Sequence, residues 1–513
     1  MTIWTTWTVS ATTVTVIEEE LARAFPVLFD GERTSNRRLY DSFDWRLYTA
    51  GYMLWGSGRE WVLQGLDPET SKVQGTGPVP GKRLFSWDFA ASELKDRLEP
   101  ILQKRAVLPL AAVQSKTRSL RVLNKDEKTV VLVCLEQLHT EKTENTRSLV
   151  HLGEVRGYGK ELRRVRTCLH KKLVGEPVQD IPAFTLALDA VGRQPGDYSS
   201  TFVLELNAEQ SAREAMVAIY LELLKTLRDN LDGVCRDLDS EFLHDLRVAV
   251  RRTRSGQALS KGVLPGEVVA RFREEFAWVS SITGPTRDLD VCLLSEKEYA
   301  KRLPVVLQPG LKTFFEDVRQ RRARVKAAMV RALKTPRFAQ LLDDWEAVLT
   351  GERMAQSACA DIPVLDLARK VIWKRYRRVL RDGLAITADT PDAELHRLRI
   401  QGKKLRYAIE FFSSLFPQKG VEQAIRRLKV LQKNLGDFND LSVQQEMLTA
   451  YLAQLDPGSR TRLMLGAAVG GLMSSLNSQQ LQVRRNFANT FADFSGEQTT
   501  TLFHRLFSNA RSL

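Results

Sequence analysis

The spacing of apolar residues changes once along this chain, close to residue 207. Before that point, short apolar runs alternate with clusters of Gly, Pro and Asp, which is typical of β-strands joined by turns. After it, apolar residues recur with a 3.6-residue period, which is typical of amphipathic helices. The pattern predicts a multidomain α+β protein, with a largely β domain at residues 1–206 and an all-helical domain at 207–513.

The first region is predicted to be an antiparallel β-barrel, or a strongly curled sheet, with flanking helices packed outside it. Two segments have helical spacing, Val16–Phe25 and Gly159–Leu173. The runs that we expect to form strands are Trp4–Val9, Leu39–Phe43, Gly51–Trp55, Trp61–Gly65, Ser119–Leu123, Thr129–Leu135, Phe184–Leu188 and Ser200–Leu206.

The helical region is predicted to begin at Asn207, whose side chain is suited to cap a helix. Pro and Gly residues then divide the region into helices, with one of the breaks expected at Gly284-Pro285. The region is predicted to be a duplicated helical bundle, with halves at about 207–350 and 351–513, because a motif recurs in it at a constant spacing.

That motif is a run of basic residues that occurs twice, 152 residues apart. The first copy, His244–Arg254, reads HDLRVAVRRTR, and the second, His396–Arg406, reads HRLRIQGKKLR. Two further segments, Gly284–Val291 and Gly436–Val443, have the same spacing and are predicted to be junctions between helices. Since the cations keep their register while other residues differ, the repeat indicates a function of charge. Two packed copies related by a pseudo-two-fold axis are expected to face each other.

On a helical wheel, the cations of each copy form a stripe that borders the apolar stripe. Cations beside a core repel one another and lose hydration, so they need a negative partner. The protein's own carboxylates, among them Asp245, Asp288 and Asp440, are one such partner, and a bound phosphate polymer is the other. Arg offers phosphate oxygens a planar fork, and Lys offers them a compact charge.

The candidate polyanion-binding residues of the two copies are His244, Arg247, Arg251, Arg252, Arg254, His396, Arg399, Lys403, Lys404 and Arg406. On the wheel, Arg252 and Lys404 point away from the stripe. The two histidines are expected either to donate to phosphate or to cap the helix or pair with Asp288 or Asp440. For a single basic helix, a solvated face or internal ion pairs would be the simpler interpretation, and the duplication favours a ligand site.

A further basic run supplies the candidates Lys374, Arg377 and Arg378. The positions 152 residues earlier are mostly not basic, so a solvated face remains an alternative interpretation of this run. The run Arg319–Lys326 is interpreted as a solvated face that extends the positive field.

Charge and cysteine content indicate where the positive charge lies in the chain and which cellular compartment the protein occupies. The chain of 513 residues has a net charge of +14, of which +3 lies in residues 1–200 and +11 in the remainder. Its five cysteines are scattered and form no CxxC pair, which is typical of a reducing compartment. No long apolar run or signal-like N-terminus is present, so the sequence predicts a cytoplasmic protein without a membrane partner.

The residues His244–Arg254, Arg287–Asp290 and His396–Arg406 resemble the CHAD family. The resemblance extends over roughly residues 208–510 and implies two helical bundles related by a pseudo-two-fold axis, with a basic central groove that binds inorganic polyphosphate. It implies polyphosphate contacts from Arg247, Arg251, Arg254, Arg399, Lys403 and Arg406.

The first region resembles a CYTH domain, the triphosphate-tunnel β-barrel, through Arg38–Gly51, Arg118–Val133 and Arg156–Glu161. Such enzymes have a Glu-x-Glu-x-Lys motif on the first strand, whose carboxylates hold a divalent metal. Here the first strand, from Thr5 to Ser10, has no acid and no Lys. Four cations remain that could attract an anion, Lys116, Arg118, Arg121 and Arg156. The resemblance therefore implies a catalytically degenerate domain without catalytic residues or metal ligands.

The sequence thus favours a polyphosphate-binding protein, with attachment to polyphosphate granules as one expected location. The alternative is a triphosphatase or polyphosphatase, which would need Mg²⁺ or Mn²⁺ as cofactor in the CYTH-like domain. A nucleic-acid binder is disfavoured, because zinc spacing, RNA-binding strand motifs and stacking aromatics are missing from the basic stripes.

The absence of acids from the first strand generates a prediction about catalysis. We expect residues 1–205, expressed alone, to release no phosphate from triphosphate above background when Mn²⁺ is added, because no carboxylates hold the metal there. A phosphate-release assay checks this expectation. Turnover well above background would show that the first strand has been misinterpreted.

Overall fold

A computed structural model divides the chain into two compact units, Met1–Ser200 and Thr201–Leu513. Among the residues that it describes, none of the helices has both the length and the apolarity needed to cross a bilayer. The residues described are 3–9, 14–67, 72–79, 81, 83–140, 146–170, 173–174, 182–351, 357–454 and 460–508.

The first unit contains one antiparallel sheet with the strand order β5-β4-β3-β2-β6-β7-β8-β1-β9. Its described strands are β1 (Ile3–Val9), β2 (Val27–Asp41), β3 (Tyr52–Ser57), β4 (Glu60–Gly65), β5 (Val73–Thr76), β6 (Leu108–Leu123), β7 (Thr129–Thr140), β8 (Thr146–Glu154) and β9 (Leu173–Val174). Its described helices are α1 (Val14–Ala24), α2 (Arg46–Thr49), α3 (Glu93–Leu102), α4 (Gly159–Cys168) and α5 (Pro182–Asp189).

The two faces of this sheet are covered by different helices. On one face, Ile17 of α1 and Val165 of α4 are buried in one cluster with strand residues such as Val133. On the opposite face, Leu186 of α5 is buried with Leu138 and other strand residues. Alternating strand residues therefore divide the apolar core of this unit into two layers, one on each side of the sheet.

Within the described residues the sheet is open, so the barrel that the sequence predicted is not formed there. The edge strands β5 and β9 are four and two residues long, and they do not pair with each other. The segment Phe184–Leu188, predicted as a strand, is part of helix α5. A short apolar run suits either a buried strand or a buried helix. Here it forms a helix that covers one face of the open sheet.

The second unit is entirely helical in its described secondary structure. Its helices are α6 (Ala212–Arg236), α7 (Ser240–Leu259), α8 (Gly266–Leu294), α9 (Glu296–Lys301), α10 (Gln308–Leu333), α11 (Pro336–Thr350), α12 (Val364–Leu384), α13 (Asp392–Phe411), α14 (Gln418–Leu452), α15 (Arg460–Ser495) and α16 (Glu497–Phe507). Single turns of 3₁₀ helix lie at Val305–Leu307 and Ser413–Leu415.

The helix boundaries repeat with the spacing of the basic motif. The helices α6, α7 and α8 each begin 152 residues before α12, α13 and α14. The helices α7 and α13, which carry the two basic motifs, also end 152 residues apart. The duplication seen in the sequence is therefore a duplication of helices, and it includes at least α6 to α8 and α12 to α14.

Two predictions at the start of the helical region are wrong. Residues 200–206 form no strand; the amide of Leu206 donates to the Ser414 hydroxyl, and Phe202 packs edge-on against Phe411. Helix α6 is capped by Ser211 and not by Asn207, because Ser211 and Glu214 form a reciprocal capping box. The segment 201–207 thus lies against the helical unit, and its apolar residues pack on helices.

The predicted break at Gly284-Pro285 is also absent, since both residues lie inside the continuous helix α8. The matching segment Gly436–Val443 lies inside α14, so neither segment is a junction. Pro285 removes one backbone hydrogen bond. Helix α8 packs against both α7 and α10, and this packing outweighs the missing bond.

The close approach of α12 to α15 generates a prediction about stability. A Cβ atom on Gly383 would lie 2.0 Å from the ring of Phe491, so we expect Gly383→Ala to destabilise the helical unit by about 1–3 kcal/mol. The matched control is Gly436→Ala, where a Cβ meets nothing within 4 Å and should stabilise the helix by about 0.5–1 kcal/mol. Urea unfolding followed by the helical circular-dichroism signal measures both changes. Equal midpoints for the two variants would contradict the packing described.

Candidate functional site

Helices α7 and α13 carry the repeated basic motif, and both are fixed by their caps and their apolar faces. The carboxylate of Asp239 accepts hydrogen bonds from the first turn of α7, at the amides of Glu241 and Phe242. Pro391 precedes α13, and its backbone conformation directs the chain into the helix. The buried residues include Leu246 on α7 and Leu398 on α13. The two helices pack against each other, which brings the bordering cations together.

Four of these cations, Arg247, Arg251, Arg399 and Lys403, form a cluster that we call the central basic cluster. Arg251 stands between the two copies of the motif, because its charge acts on Arg247 of its own helix and on Arg399 and Lys403 of the other. All four side chains are half-buried. The structure therefore places the two positive edges in one region, as the duplication predicted.

Burial and repulsion by neighbouring cations lower the pKa values of Lys403, Arg247 and Arg399. The pKa of Lys403 falls to about 8, first because burial removes water from the ammonium group and then because Arg251 and Arg399 repel it. Burial is also the main cause that lowers the pKa of Arg247 and of Arg399. Keeping these groups charged in the folded protein therefore costs free energy.

Two carboxylates offset part of this charge. Asp440 accepts a hydrogen bond of 3.1 Å from Arg399, and the charge of Asp288 acts on Arg247. Asp440 also acts on Lys403 through its charge. Arg251 and Lys403 are not joined to any carboxylate by an ion pair described in the structure, so positive charge in the central basic cluster is only partly offset at these two residues.

Neutral groups hold Arg247 in place. Its guanidinium donates to the Ser280 carbonyl at 3.0 Å and to the Thr283 hydroxyl at 2.9 Å. Gly284 lies beside it, and a Cβ there would be 3.4 Å from Arg247 Nη1, an ordinary contact distance. The guanidinium therefore does not require a glycine at this position of α8.

The histidines pair with residues that the sequence analysis did not select. His244 Nδ1 accepts from Arg287 at 3.0 Å, and His396 Nδ1 lies 2.5 Å from Asn439 Oδ1. Because Arg287 can only donate, a neutral His244 carries its proton on Nε2. Arg287 and Asn439 occupy equivalent places in the two halves, so the sequence signal that could have found them is the 152-residue spacing itself. Pairing of the histidines with Asp288 or Asp440 is not observed among the described contacts.

The other candidates of the repeated motif have different settings. Glu410 joins two of them, since it accepts from Arg252 at 2.8 Å and from Arg406 at 2.6 Å. Arg252 also lies over the rings of Phe202 and Tyr407. It is therefore a structural cation, in agreement with its position off the stripe. Arg254 is exposed, and it donates to the Ser280 hydroxyl at 3.2 Å.

The candidates Lys374, Arg377 and Arg378 lie apart from the central basic cluster, on the exposed side of α12. They line a cleft of about 720 Å³, which we call the α12 cleft. The remaining residues that line this cleft are Arg369, Lys370, Trp373, Arg381 and Phe507. Lys404 belongs to this side, because its pKa is lowered by burial and by the charges of Arg375 and Arg378.

The β-sheet unit has a polar cluster of its own on the face that α5 partly covers. Glu136 lies at its centre and accepts from Ser115 at 2.5 Å, with His151 at 2.9 Å and Arg37 at 3.8 Å. His151 also lies 2.8 Å from the Thr6 hydroxyl of the first strand. The sequence analysis named none of these residues as a site.

The residual cations named in the sequence analysis have different surroundings. Arg118 is paired with Glu18 and Glu32, and Arg121 is paired with Asp30. These two cations are therefore offset by the protein's own acids and are poorly placed to attract an anion. Among the described residues, no group of three or more His, Cys, Asp and Glu side chains could hold a metal ion.

Residues 218–449 match the family model described as the CHAD domain. The helical unit thus contains a CHAD domain. The match includes both basic helices and the central basic cluster, as the repeated motif indicated. It does not reach residues 1–200, so the resemblance of that region to a CYTH domain stays a prediction.

The solved structures that are similar to this chain include the following two. One is the crystal structure of the CHAD domain from the plant Ricinus communis, with 26% identity and a TM-score of 0.48, over 57% of this chain and 95% of that chain. The other is PptA from Streptomyces chartreusis, with 20% identity and a TM-score of 0.44, over 55% of this chain and 99% of that chain. No curated protein gives a significant match.

The lowered pKa of Lys403 generates a prediction about stability and pH. The pKa of about 8 lies below the ordinary 10.5, so the folded protein holds this proton less tightly than the unfolded chain. The charge therefore destabilises the fold below pH 8, and the penalty is relieved as the pH rises from about 8 towards 10.5. We expect Lys403→Met to stabilise the helical unit by about 1–3 kcal/mol at neutral pH, and by less above pH 8.

Urea unfolding at several pH values measures this gain. The control is Lys429→Met at an exposed position of α14, where the change should stay within about 0.5 kcal/mol. A Lys403→Met variant that is no more stable than the control would mean that the ammonium group is already offset in the folded protein.

Proposed function

We propose that the CHAD domain of this protein binds inorganic polyphosphate along the central basic cluster, and that the protein attaches to polyphosphate granules through it. The observation that carries the proposal is the meeting of four cations from two equivalent helices, in which Arg251 acts on Arg247, Arg399 and Lys403. The resemblance of the repeated motif to the CHAD family implies the same ligand.

The central basic cluster lowers the stability of the fold. Half-buried cations that repel one another weaken the fold, and a sequence that keeps them needs a compensating interaction. An incoming polyanion restores the lost favourable interactions and favours the charged form of Lys403. Arg251 and Lys403 are the groups with the least internal compensation, so we assign them the main contacts.

The other cations have supporting roles in this proposal. Arg247 and Arg399 are held in fixed orientations by Thr283 and Asp440, and each keeps further N–H donors for phosphate oxygens. Arg254 and Arg406 extend the positive edge beyond the cluster. His244 and His396 lie near the starts of the same helices, and their Nδ1 atoms are already engaged.

A polymer without bases suits this surface better than nucleic acid does. Single-stranded nucleic acids bind where cations alternate with exposed aromatic rings. Tyr407, the aromatic residue nearest to the motif, is buried and lies against Arg252. Both polymers would bind with a steep dependence on salt, so competition between them is the measurement that separates the two ligands.

The second candidate function, metal-dependent hydrolysis in the β-sheet unit, has less support. Thr6 and Thr8 occupy the first strand on the face that carries Glu136 and His151, and this strand has no acid of the kind that a triphosphatase of the CYTH type has on its first strand. The side chains present among the described residues do not form a set of ligands for a divalent metal. The proposed function of this protein is therefore binding, without a metal-dependent step.

We predict that Arg251→Glu with Lys403→Glu removes polyphosphate binding, because it replaces the two least compensated cations by anions at the centre of the site. Isothermal titration of the full-length protein with polyphosphate measures the affinity, and circular dichroism checks that the helical signal stays close to that of the unsubstituted protein. Polyphosphate should also displace DNA at a much lower phosphate concentration.

The matched control is Arg321→Glu with Arg324→Glu, two exposed positions on α10. This variant changes the net charge by the same amount but leaves the cluster intact, so its affinity should stay close to that of the unsubstituted protein at physiological salt. Retained affinity in the Arg251 and Lys403 variant would rule out the central basic cluster as the site.

A further inference from the structure

The α12 cleft is a second positive surface that the duplication does not explain. Among the described residues, six cations line it and no acidic residue does: Arg369, Lys370, Lys374, Arg377, Arg378 and Arg381. The equivalent face of α6 carries Ala218 and Glu222, and its Lys225 is paired with Asp229 at 2.9 Å. The positive face of α12 therefore belongs to one half of the domain only.

An ordinary solvated face accounts poorly for this cleft. Arg369 is half-buried, and its Nε is buried without a hydrogen-bond partner among the described residues. Trp373 and the buried Phe507 line the cleft together with these cations. Arg378 and Arg381 share one carboxylate, Asp382, and the other four cations have no described carboxylate within ion-pair distance.

Lys404 is the cation of α13 that lies next to this cleft. It follows Lys403 of the central basic cluster in the chain, and the charges of Arg375 and Arg378 on α12 act on it. Arg375 reaches the end of α7, where it donates to the Ala258 carbonyl at 3.3 Å. Helix α13 therefore carries one cation of the cluster and, at the next position, one cation on the side of the cleft.

We propose that the α12 cleft is the second part of an extended polyphosphate site, occupied only by polymers long enough to pass from the central basic cluster over Lys404. This inference rests on the proposed function, since it assigns the same ligand to both surfaces. It adds a length requirement and a direction, because the polymer continues on the α12 side and not on the α6 side.

The length requirement follows from the extent of the basic face of α12. Along α12, the positions from Lys370 to Arg381 extend over roughly 16 Å at the helical rise per residue. Tripolyphosphate, with three phosphates, can neutralise the central basic cluster but cannot also follow this face. A long chain that is bound at the cluster meets the cleft at a high effective concentration, so each surface strengthens binding at the other.

The test compares two ligands, tripolyphosphate and a polyphosphate of several hundred phosphates, on the full-length protein. The variant of the cleft is Lys374→Glu with Arg377→Glu, and Lys374→Gln with Arg377→Gln is a milder second version. The Arg251→Glu and Lys403→Glu variant reports on the central basic cluster. The Arg321→Glu and Arg324→Glu variant is the control for net charge. Titration calorimetry at one fixed ionic strength gives each affinity.

We expect the cleft variants to bind the long chain more weakly, by about 10- to 100-fold for the Glu version, while their affinity for tripolyphosphate stays within about twofold of that of the control. A long-chain affinity equal to that of the control would overturn the proposal. An equal loss for both ligands would also overturn it, because the two surfaces would then be one compact site.

Failure of the proposed function gives a different result. In that case the Arg251→Glu and Lys403→Glu variant binds both ligands as the unsubstituted protein does, whatever the cleft variants do. Loss of both ligands in that variant, together with a selective loss of the long chain in the cleft variants, supports both proposals.

Discussion

The packing of α7 against α13 is the contact on which the rest of the helical unit depends. Each helix places its cations at the border of its apolar face, so burying the apolar faces against neighbouring helices also brings the positive edges together. Arg251 lies within reach of Arg399 and Lys403 for that reason. The hydrophobic gain of a shared core holds like charges at a distance that they would not adopt alone.

Neighbouring carboxylates offset part of the positive charge of the central basic cluster. Asp288 and Asp440 offset part of the charge at Arg247 and Arg399. Glu410 links Arg252 and Arg406 across the two copies of the motif. Asp440 and Glu410 accept hydrogen bonds from the cations beside them, whereas Asp288 acts on Arg247 through its charge alone. A negatively charged ligand would offset the positive charge that these carboxylates do not.

The two halves share a scaffold and differ in their charged surface. Helix starts repeat at three pairs of helices, and the histidine contacts occur at matching places, although Arg287 in one half is Asn439 in the other. Glu410 corresponds to Ala258, which has no charge. The basic face of α12 has no counterpart on α6. Packing constrains the shared positions, whereas exposed positions are free to diverge, and in our proposal this divergence gives the site a direction.

The sequence alone determined the helical character of the second unit, its duplication and the stripe of cations, because helical periodicity and register depend on local spacing. It could not decide whether Phe184–Leu188 forms a strand or a helix, since a short apolar run suits both until its packing partner is known. It also could not separate Lys374, Arg377 and Arg378 from the central basic cluster. Which charges become neighbours depends on how helices pack, and only the tertiary structure joined Arg251 to Lys403 and Lys404 to α12.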